Sequence, residues 1–519
     1  MVFRPIVLTV SADPELPAFE RRGEPVAVGV ACPRGAVLRA ARWGLTDQRG
    51  RGAAVQTTVL DRWTDGSIRW LLAEFQADVD AESPGYYALA PDDTVQPGAG
   101  IVIERAGETI KVKTGAATFD VPRSGTAFLS AVAVGGRSLL DSTLVAGEDQ
   151  DGARYELAIW RTTVERAGAR RADLRIDGQL VDAVKRPWLD ATMRLHFFAG
   201  LGTVKAEFSV ANPRAARQPD SALIRELSIA IVPGKSGGAD LWASIDSTDR
   251  MAPAGARFAM RQEPSGFRAV RDGREVAGLQ ALPIASIGGG DTRVSVAVPR
   301  FPEPFPREIA VDQHHCALSM FPRRRGDRHQ LMAGERSTLT FAACFGRDTV
   351  SAAPLAWMRS PLRVSAEARS YRDARVWAPL AKANHGTLPH GLGDDSLAGD
   401  ITRFLETGEP RWWTRADELA RQVNDIDIPR TDIHSTGLML HYFLTGSERS
   451  RAAVIQLANG LLARRDTDTA AMAALFNAHR LTGEPRFLEH AESLIARFAA
   501  IAPPTGAWQS SEWMGRRRA

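Results

Sequence analysis

Residues 61–79, DRWTDGSIRWLLAEFQADV, decide how the first part of this chain folds. Asp65-Gly66 is a hairpin signal, because both central positions of a type I′ turn want positive φ and this pair tolerates it. Beyond the turn, Ile68, Trp70 and Leu72 fall on one face of a strand and Arg69 and Leu71 on the other. Residues 55–60 lead into the turn as a strand, and 26–30 alternate ahead of Pro33 and Gly35. Short strands and turns at this spacing predict a small all-β barrel or sandwich over residues 1–95, followed by a linker at 91–100, PDDTVQPGAG.

Residues 101–358 stay β-rich and show almost no helical periodicity. Segments 116–121, 157–161, 193–198, 204–210, 227–232, 293–298 and 337–343 read as strands. A large two-sheet sandwich is the natural reading. Near Ser360 the period changes, and residues 380–519 read as helical with an internal repeat. Thr407-Gly408-Glu409, Thr445-Gly446-Ser447 and Thr482-Gly483-Glu484 each follow an apolar helix that ends at Gly. Pro410 and Pro485 sit at the first position of the next helix, where the missing N–H costs nothing. Helix pairs recurring at this period predict a solenoid or an α/α toroid. Residues 394–503 hold about three hairpins, whereas a ring of six or more needs roughly 200 residues, so a partial toroid is expected.

The totals narrow the function classes. At 519 residues the chain exceeds one core and predicts several domains. The 44% hydrophobic and 24% charged content is that of an ordinary globular protein, and no apolar run of about 18 residues predicts a membrane span. The N-terminus shows no secretory leader pattern, which leaves a cytoplasmic or periplasmic location as the expectation. The net charge is only +4, and only six of the 65 basic residues are Lys. Arg forks suit carboxylates such as those of a polyuronate, although genome composition explains the bias more simply. No basic tract interleaved with aromatics points to nucleic acid. Cys32, Cys316 and Cys344 are odd in number and unclustered, which argues against a disulfide scaffold or a zinc knuckle; Cys316 and Cys344 could pair, but buried thiols are the favoured reading. Dinucleotide, P-loop, GxSxG and HExxH fingerprints are absent.

Candidate chemistry concentrates in residues 425–446, DIDIPRTDIHSTGLMLHYFLTG. Asp425 and Asp427 precede the Pro429-Arg430 break, and His434 stands ahead of an apolar helix with Ser435 or Thr436 as its cap. His434 and His441, seven residues apart on one helix, would share a face with small Gly437 between them. Titratable groups crowded at a helix mouth suit sugar chemistry, and they are equally what an ordinary helix entry looks like. A second cluster, ANHGTLPHGLGDD, holds His385, His390, Asp394 and Asp395, the acids doubling as helix caps. With Asp425 and Asp427 these acids could hold Ca²⁺, but no EF-hand-like spacing supports it, and no cofactor is expected. Trp412 and Trp413 could stack on sugar rings; one of the two is expected to be a core anchor. His314-His315 would face opposite ways on a strand, and Arg323–Arg325 read as a solvated loop.

Three motifs together resemble the exo-rhamnogalacturonan lyase family (polysaccharide lyase family 26) and its uncharacterised bacterial relatives. They are DRWTDGSIRW, the run LMAGERSTLTFAACFG at 331–346, and TGEPRWW followed by DIDI and GLMLHYFLTG. The resemblance implies a RIFT-type β-barrel, a β-supersandwich and a C-terminal α/α toroid, here partial. It also implies β-elimination on acidic, pectin-type polysaccharide. A uronate lyase needs a base, a neutraliser for the carboxylate and an acid for the leaving oxygen. His434 or His385 would be the base, with His441 a weaker candidate and Arg430 the carboxylate clamp. Trp412, Trp413, His390, Asp394, Asp395, Asp425 and Asp427 would line the substrate. A non-catalytic carbohydrate-binding or structural relative, and a glycoside hydrolase on the same scaffold, are the alternatives.

Overall fold

A computed structural model describes residues 3–38, 42–95, 98, 100–213, 221–234, 240–303, 306–323, 328–376, 396–425, 435–462 and 469–501. They form two compact units. The first comprises Met1–Val28, Arg39–Thr58 and Ala73–Glu367; the second comprises Gly29–Leu38, Val59–Leu72 and Ala368–Ala519. The order β then α read from the sequence holds, with an N-terminal β-barrel region, a central β sandwich and a C-terminal helical region.

In the first unit, Ile6–Ser11 is an inner strand of a five-stranded sheet, paired with Gly85–Pro91 on one side and with Arg363–Ala366 on the other. The chain therefore comes back after the sandwich to complete the sheet it began with. Val102–Ala106 opens a second five-stranded sheet of short antiparallel strands. From Leu140–Asp149 to Arg336–Phe345, seventeen strands form one hydrogen-bonded network. A continuous apolar cluster joins this network to the second five-stranded sheet, with Phe119 from that sheet and Phe197, Phe208, Phe258 and Phe341 from the network. All three cysteines are free and buried. Burial pushes the thiols of Cys32 and Cys344 up to about 12, so they pack as small apolar groups and are poor nucleophiles.

The second unit holds seven helices among its described residues: α1 (Ala368–Ala374), α2 (Ser396–Thr407), α3 (Pro410–Asp425), α4 (Ser435–Thr445), α5 (Glu448–Leu462), α6 (Thr469–Thr482) and α7 (Pro485–Ile501). Three antiparallel hairpins, α2–α3, α4–α5 and α6–α7, stack so that α2, α4 and α6 form one layer and α3, α5 and α7 the other. The sequence repeat has a common mechanism. In each copy the Thr hydroxyl donates to the carbonyl four residues back (Thr407 to Arg403, Thr445 to His441, Thr482 to Ala478). The same oxygen accepts the backbone N–H two residues on, from Glu409, Ser447 and Glu484. Gly408, Gly446 and Gly483 then take φ of +75°, +68° and +73°, the left-handed turn that ends the helix.

A hairpin from the N-terminal region belongs to this helical unit. Residues 59–72 and 29–38 carry the DRWTDGSIRW motif into it. Trp70 is fully buried, stacks on Phe443 of α4 at 5.5 Å and 18°, and lies 6.1 Å from the Tyr371 ring of α1. Tyr371 Oη donates to the carbonyl of Gly29 at 2.8 Å. A Cβ on Gly29 would fall 1.8 Å from the Phe443 carbonyl oxygen, so only glycine admits α4 this close. Arg480 of α6 pairs with Asp61, and its guanidinium lies over Phe443. Arg69 donates to the Val376 carbonyl at 2.6 Å.

The turn itself departs from the two-residue type I′ expectation. Strand Val55–Arg62 is joined to Ile68–Val79 by five residues, and Trp63 N–H donates to the Ser67 carbonyl at 2.8 Å. Gly66 alone has positive φ, +83°. The Asp65 carboxylate instead accepts from the Ser67 N–H and hydroxyl, which holds Asp65 out of the left-handed region that type I′ requires. His314 and His315 also lie in a turn rather than on a strand, because both backbone N–H groups donate to Asp312 Oδ1.

Replacing Trp70 by Ala is expected to destabilise the helical unit by about 3–5 kcal/mol, since it removes a fully buried ring from between α1 and α4. Hydrogen exchange in α4 should speed up in step; unchanged exchange there would contradict this role for the ring. In Gly437→Ala the new Cβ would meet Leu397 and the Ala398 backbone nitrogen within 2.7 Å, and denaturant unfolding should show a loss of about 1–3 kcal/mol.

Candidate functional site

The strands Arg154–Ala167, Arg171–Val181, Pro187–Phe198 and Thr203–Ala211 lie side by side in the central network. Period-2 alternation sends their apolar residues inward and leaves charged ones on the opposite face. The ladder places Asp173 opposite His196 and His196 opposite Lys205; Arg175, Arg194 and Glu207 form the next row. The result is an ordered charged patch on a rigid sheet.

At its deep end the charges are paired. Asp173 is bound by Arg171 Nε at 2.7 Å and approached by Arg166 Nε at 3.5 Å. Glu74, from the strand Ile68–Val79, pairs with Arg166 and lies 3.4 Å from Arg171 Nη1. Gln56 donates to Glu74 at 2.9 Å and accepts the Arg170 and Arg171 backbone N–H groups. His196 Nδ1 is 2.8 Å from Asp173 Oδ1 and 3.1 Å from Arg171 Nη2. Read from the shorter contact, His196 Nδ1–H donates to the Asp173 carboxylate. Nε2, the other ring nitrogen, is buried, has no hydrogen-bond partner among the described residues and stands 3.7 Å from Glu207 Oε1. Arg194 grips Glu165 with two hydrogen bonds, 2.9 and 3.1 Å.

Burial opposes ionisation of Asp173, but Arg171, His196 and Arg166 outweigh it and hold the carboxyl well below the usual carboxylate range. Burial likewise works against the Arg171 charge, and Asp173 and Glu74 overcome it, raising its pKa. Exposure grows along the cluster, from 1% for the Asp173 side chain and 7% for His196 to 19% for Glu207 and 36% for Lys205. An imidazole held by a buried carboxylate, with a guanidinium beside it and the Lys205–Glu207 pair at the rim, has the group types that bind an anion and move a proton.

Two stretches match PcRGLX-like domains. Residues 17–88 match the PcRGLX-like N-terminal RIFT barrel domain, and residues 101–229 match the PcRGLX-like protein central beta sandwich domain. The charged face lies largely within the second stretch. Uncharacterized protein YetA of Bacillus subtilis (strain 168) is 24% identical over 188 residues, which cover 34% of this chain and 22% of YetA. The chain thus spans about a fifth of that curated relative. Among solved structures, an alpha-mannosidase from Enterococcus faecalis V583 aligns with a TM-score of 0.44 at 12% identity, over 71% of this chain and 46% of that one. A galactose mutarotase related enzyme from Lactobacillus acidophilus gives 0.27 at 10% identity, over 49% of this chain and 99% of that one.

Of the residues singled out by sequence, His434, His385, Arg430, His390, Asp394, Asp395 and Asp427 lie outside the described residues. The others gather on α3 and α4. His441 is buried, with Nδ1 2.9 Å from Ser450 Oγ and Nε2 3.3 Å from Asp417 Oδ1, and Trp413 stacks flat on its imidazole at 5.7 Å and 7°. Both imidazole nitrogens and one ring face are thereby occupied. Trp413 also meets Phe404, and so is the packed tryptophan of its pair; Trp412 is half-buried beneath the guanidinium groups of Arg403 and Arg411. Asp425 pairs with Arg449 at 2.6 Å. Among the described residues no group of three or more His, Cys, Asp and Glu side chains is placed to hold a metal ion, and no helix is long and apolar enough to cross a membrane.

The structure adds Arg171, Asp173, His196 and Glu207, which motif reading passed over. Their only sequence signal is charge at every second position of RADLRID, TMRLHFF and VKAEF. Because the Asp173 pKa is depressed, its contribution to stability is complete above the unfolded value near 3.8 and is lost as pH falls through the folded value. The wild type should therefore lose stability progressively below about pH 4. Asp173→Asn should lack this component and, near neutrality, cost about 3–5 kcal/mol, because it leaves two enclosed arginines with Glu74 as their one remaining carboxylate in the cluster. Urea unfolding of both proteins across the acid range measures the difference; parallel pH curves would contradict the assignment.

Proposed function

We propose that the protein is a carbohydrate-active lyase that cleaves acidic, pectin-type polysaccharide by β-elimination. The observation that carries this reading is the Asp173–His196 pair beside Arg171. In β-elimination a base takes the proton α to a uronate carboxylate, charge builds on that carboxylate, and the bond to the neighbouring sugar oxygen breaks as a double bond forms. His196 Nε2 is the base, with Asp173 holding the imidazole in the tautomer that frees it. Arg171 neutralises the carboxylate as charge develops there. Lys205, directly across the ladder from His196, supplies the proton to the departing oxygen. The incoming sugar displaces the Glu207 side chain from in front of Nε2. The PcRGLX-like domain matches and the family resemblance of the sequence support the saccharide class. In the helical region, His434 or His385 with Arg430 is the second residue set to which the same chemistry can be assigned.

Incubation with rhamnogalacturonan, polygalacturonate and other uronic polymers, followed by ultraviolet absorbance of the new double bond, tests the reaction. The expected result is unsaturated product from the wild type and a loss of roughly 100-fold or more in His196→Gln, with His434→Ala and His385→Ala near wild type. The reverse pattern moves the chemistry to the helical region. If no uronic polymer gives unsaturated product, the lyase reading falls. New reducing ends without a double bond would then identify a glycoside hydrolase, and binding without turnover a carbohydrate-binding protein.

A further inference from the structure

On the N-terminal sheet the strand Gly85–Pro91 turns one tyrosine in and the next one out. Tyr87 is 6% exposed and packs against Phe75 at 5.0 Å, whereas Tyr86 is 45% exposed. Asp47 is the ladder partner of Tyr87, so the turn that follows Asp47 lies beside Tyr86. This turn is stiff. Asp47 Oδ1 accepts the backbone N–H groups of Arg49 and Arg51, each at 2.9 Å, and Gly50 takes φ +76°. The turn and the strand end together line an open depression that includes Arg22, Asp47, Arg49, Arg51, Asp80 and Tyr86.

The three arginines differ. Arg51 is held by Asp47 at 2.7 Å, and Arg22 by Asp80 at 3.0 Å. The Arg49 side chain makes no ion pair or hydrogen bond with any described residue, although its backbone is fixed by Asp47. An exposed tyrosine face and an uncommitted guanidinium on a rigid turn therefore border one depression. Carboxylates that are already paired surround them and offer acceptors to hydroxyl groups.

We infer that this depression is a second saccharide site, separate in sequence from the charged face, that holds one uronate residue of an acidic oligosaccharide. The pyranose C–H face lies on the Tyr86 ring, and the uronate carboxylate takes the Arg49 fork. The inference rests on the acidic-saccharide reading above but not on the lyase step, because binding here needs no bond to break.

Short saturated oligogalacturonate, titrated calorimetrically at low salt into His196→Gln protein so that turnover does not intervene, provides the test. Tyr86→Ala and Arg49→Gln, added singly to that background, should each weaken binding roughly tenfold, while Tyr86→Phe retains it. Methyl-esterified oligomer should bind the parent as weakly as free oligomer binds Arg49→Gln. Thermal unfolding must show the variants folded; the exposed positions make that the expectation. If folded Tyr86→Ala and Arg49→Gln bind like their parent, or the ester binds as tightly as the acid, the site is overturned. Absence of unsaturated product in the earlier assay leaves this result intact, and intact lyase activity does not rescue it.

Discussion

The contact on which the helical unit depends is the stack of Trp70 on Phe443, with Gly29 beneath the carbonyl of the same phenylalanine. A side chain at 29 would collide with backbone, not with a movable group, so α4 approaches the hairpin at a distance set by an absent Cβ. Tyr371, Asp61 and Arg480 then tie α1 and α6 to the same two segments. The consequence is covalent as much as energetic. The unit is assembled from three separate stretches of chain, so its core needs residues 59–72 as well as helices that begin some 300 positions later. Pairing so distant in sequence is slow to form and cannot nucleate from the helices alone.

This explains why the hairpin motif was legible and its task was not. Alternation in IRWLL announces a strand, and the structure makes it one. The same alternation puts Trp70 and Leu71 on opposite faces, which suggests one wet face, yet both are buried because helices cover the outer side within the second unit. Local pattern reports the period of an element; it does not report what arrives later to cover it. The Thr-Gly repeat was more transparent because everything it does is local. Each threonine bonds four residues back and two ahead, so three copies of one dipeptide yield three copies of one helix stop. His441 was visible as a helical histidine, but its partners Asp417 and Ser450 sit on the neighbouring helices α3 and α5, and no spacing within α4 encodes them.

The charged sheet face was the least legible feature, for a related reason. No member of it belongs to a motif, and its meaning comes from ladder register: Asp173 faces His196, 23 positions on, only because two consecutive strands pair without slipping there. A one-residue slip would send the whole row into the core. The row therefore helps fix its own register, since the alternative would bury several charges without partners.

Register alone does not account for the whole network. Buried ion pairs are a poor way to gain stability, because desolvation cancels much of their attraction, and apolar side chains of the same volume would hold these strands at least as well. Glu74, Arg166 and Asp173 have a structural use, since they join the strand Ile68–Val79 to the sandwich strands by paired charges that are almost wholly enclosed. That purpose needs neither an imidazole with one nitrogen left unbonded nor a second cation and carboxylate at the more exposed end. His196, Glu207 and Lys205 extend the network past the point where it ties strands together, toward its more exposed end, with Nε2 itself still buried behind Glu207. A cluster that is rigid and neutral at depth and increasingly open at its rim holds an imidazole, a fixed cation and compensated charge, the group types on which the proposed elimination draws.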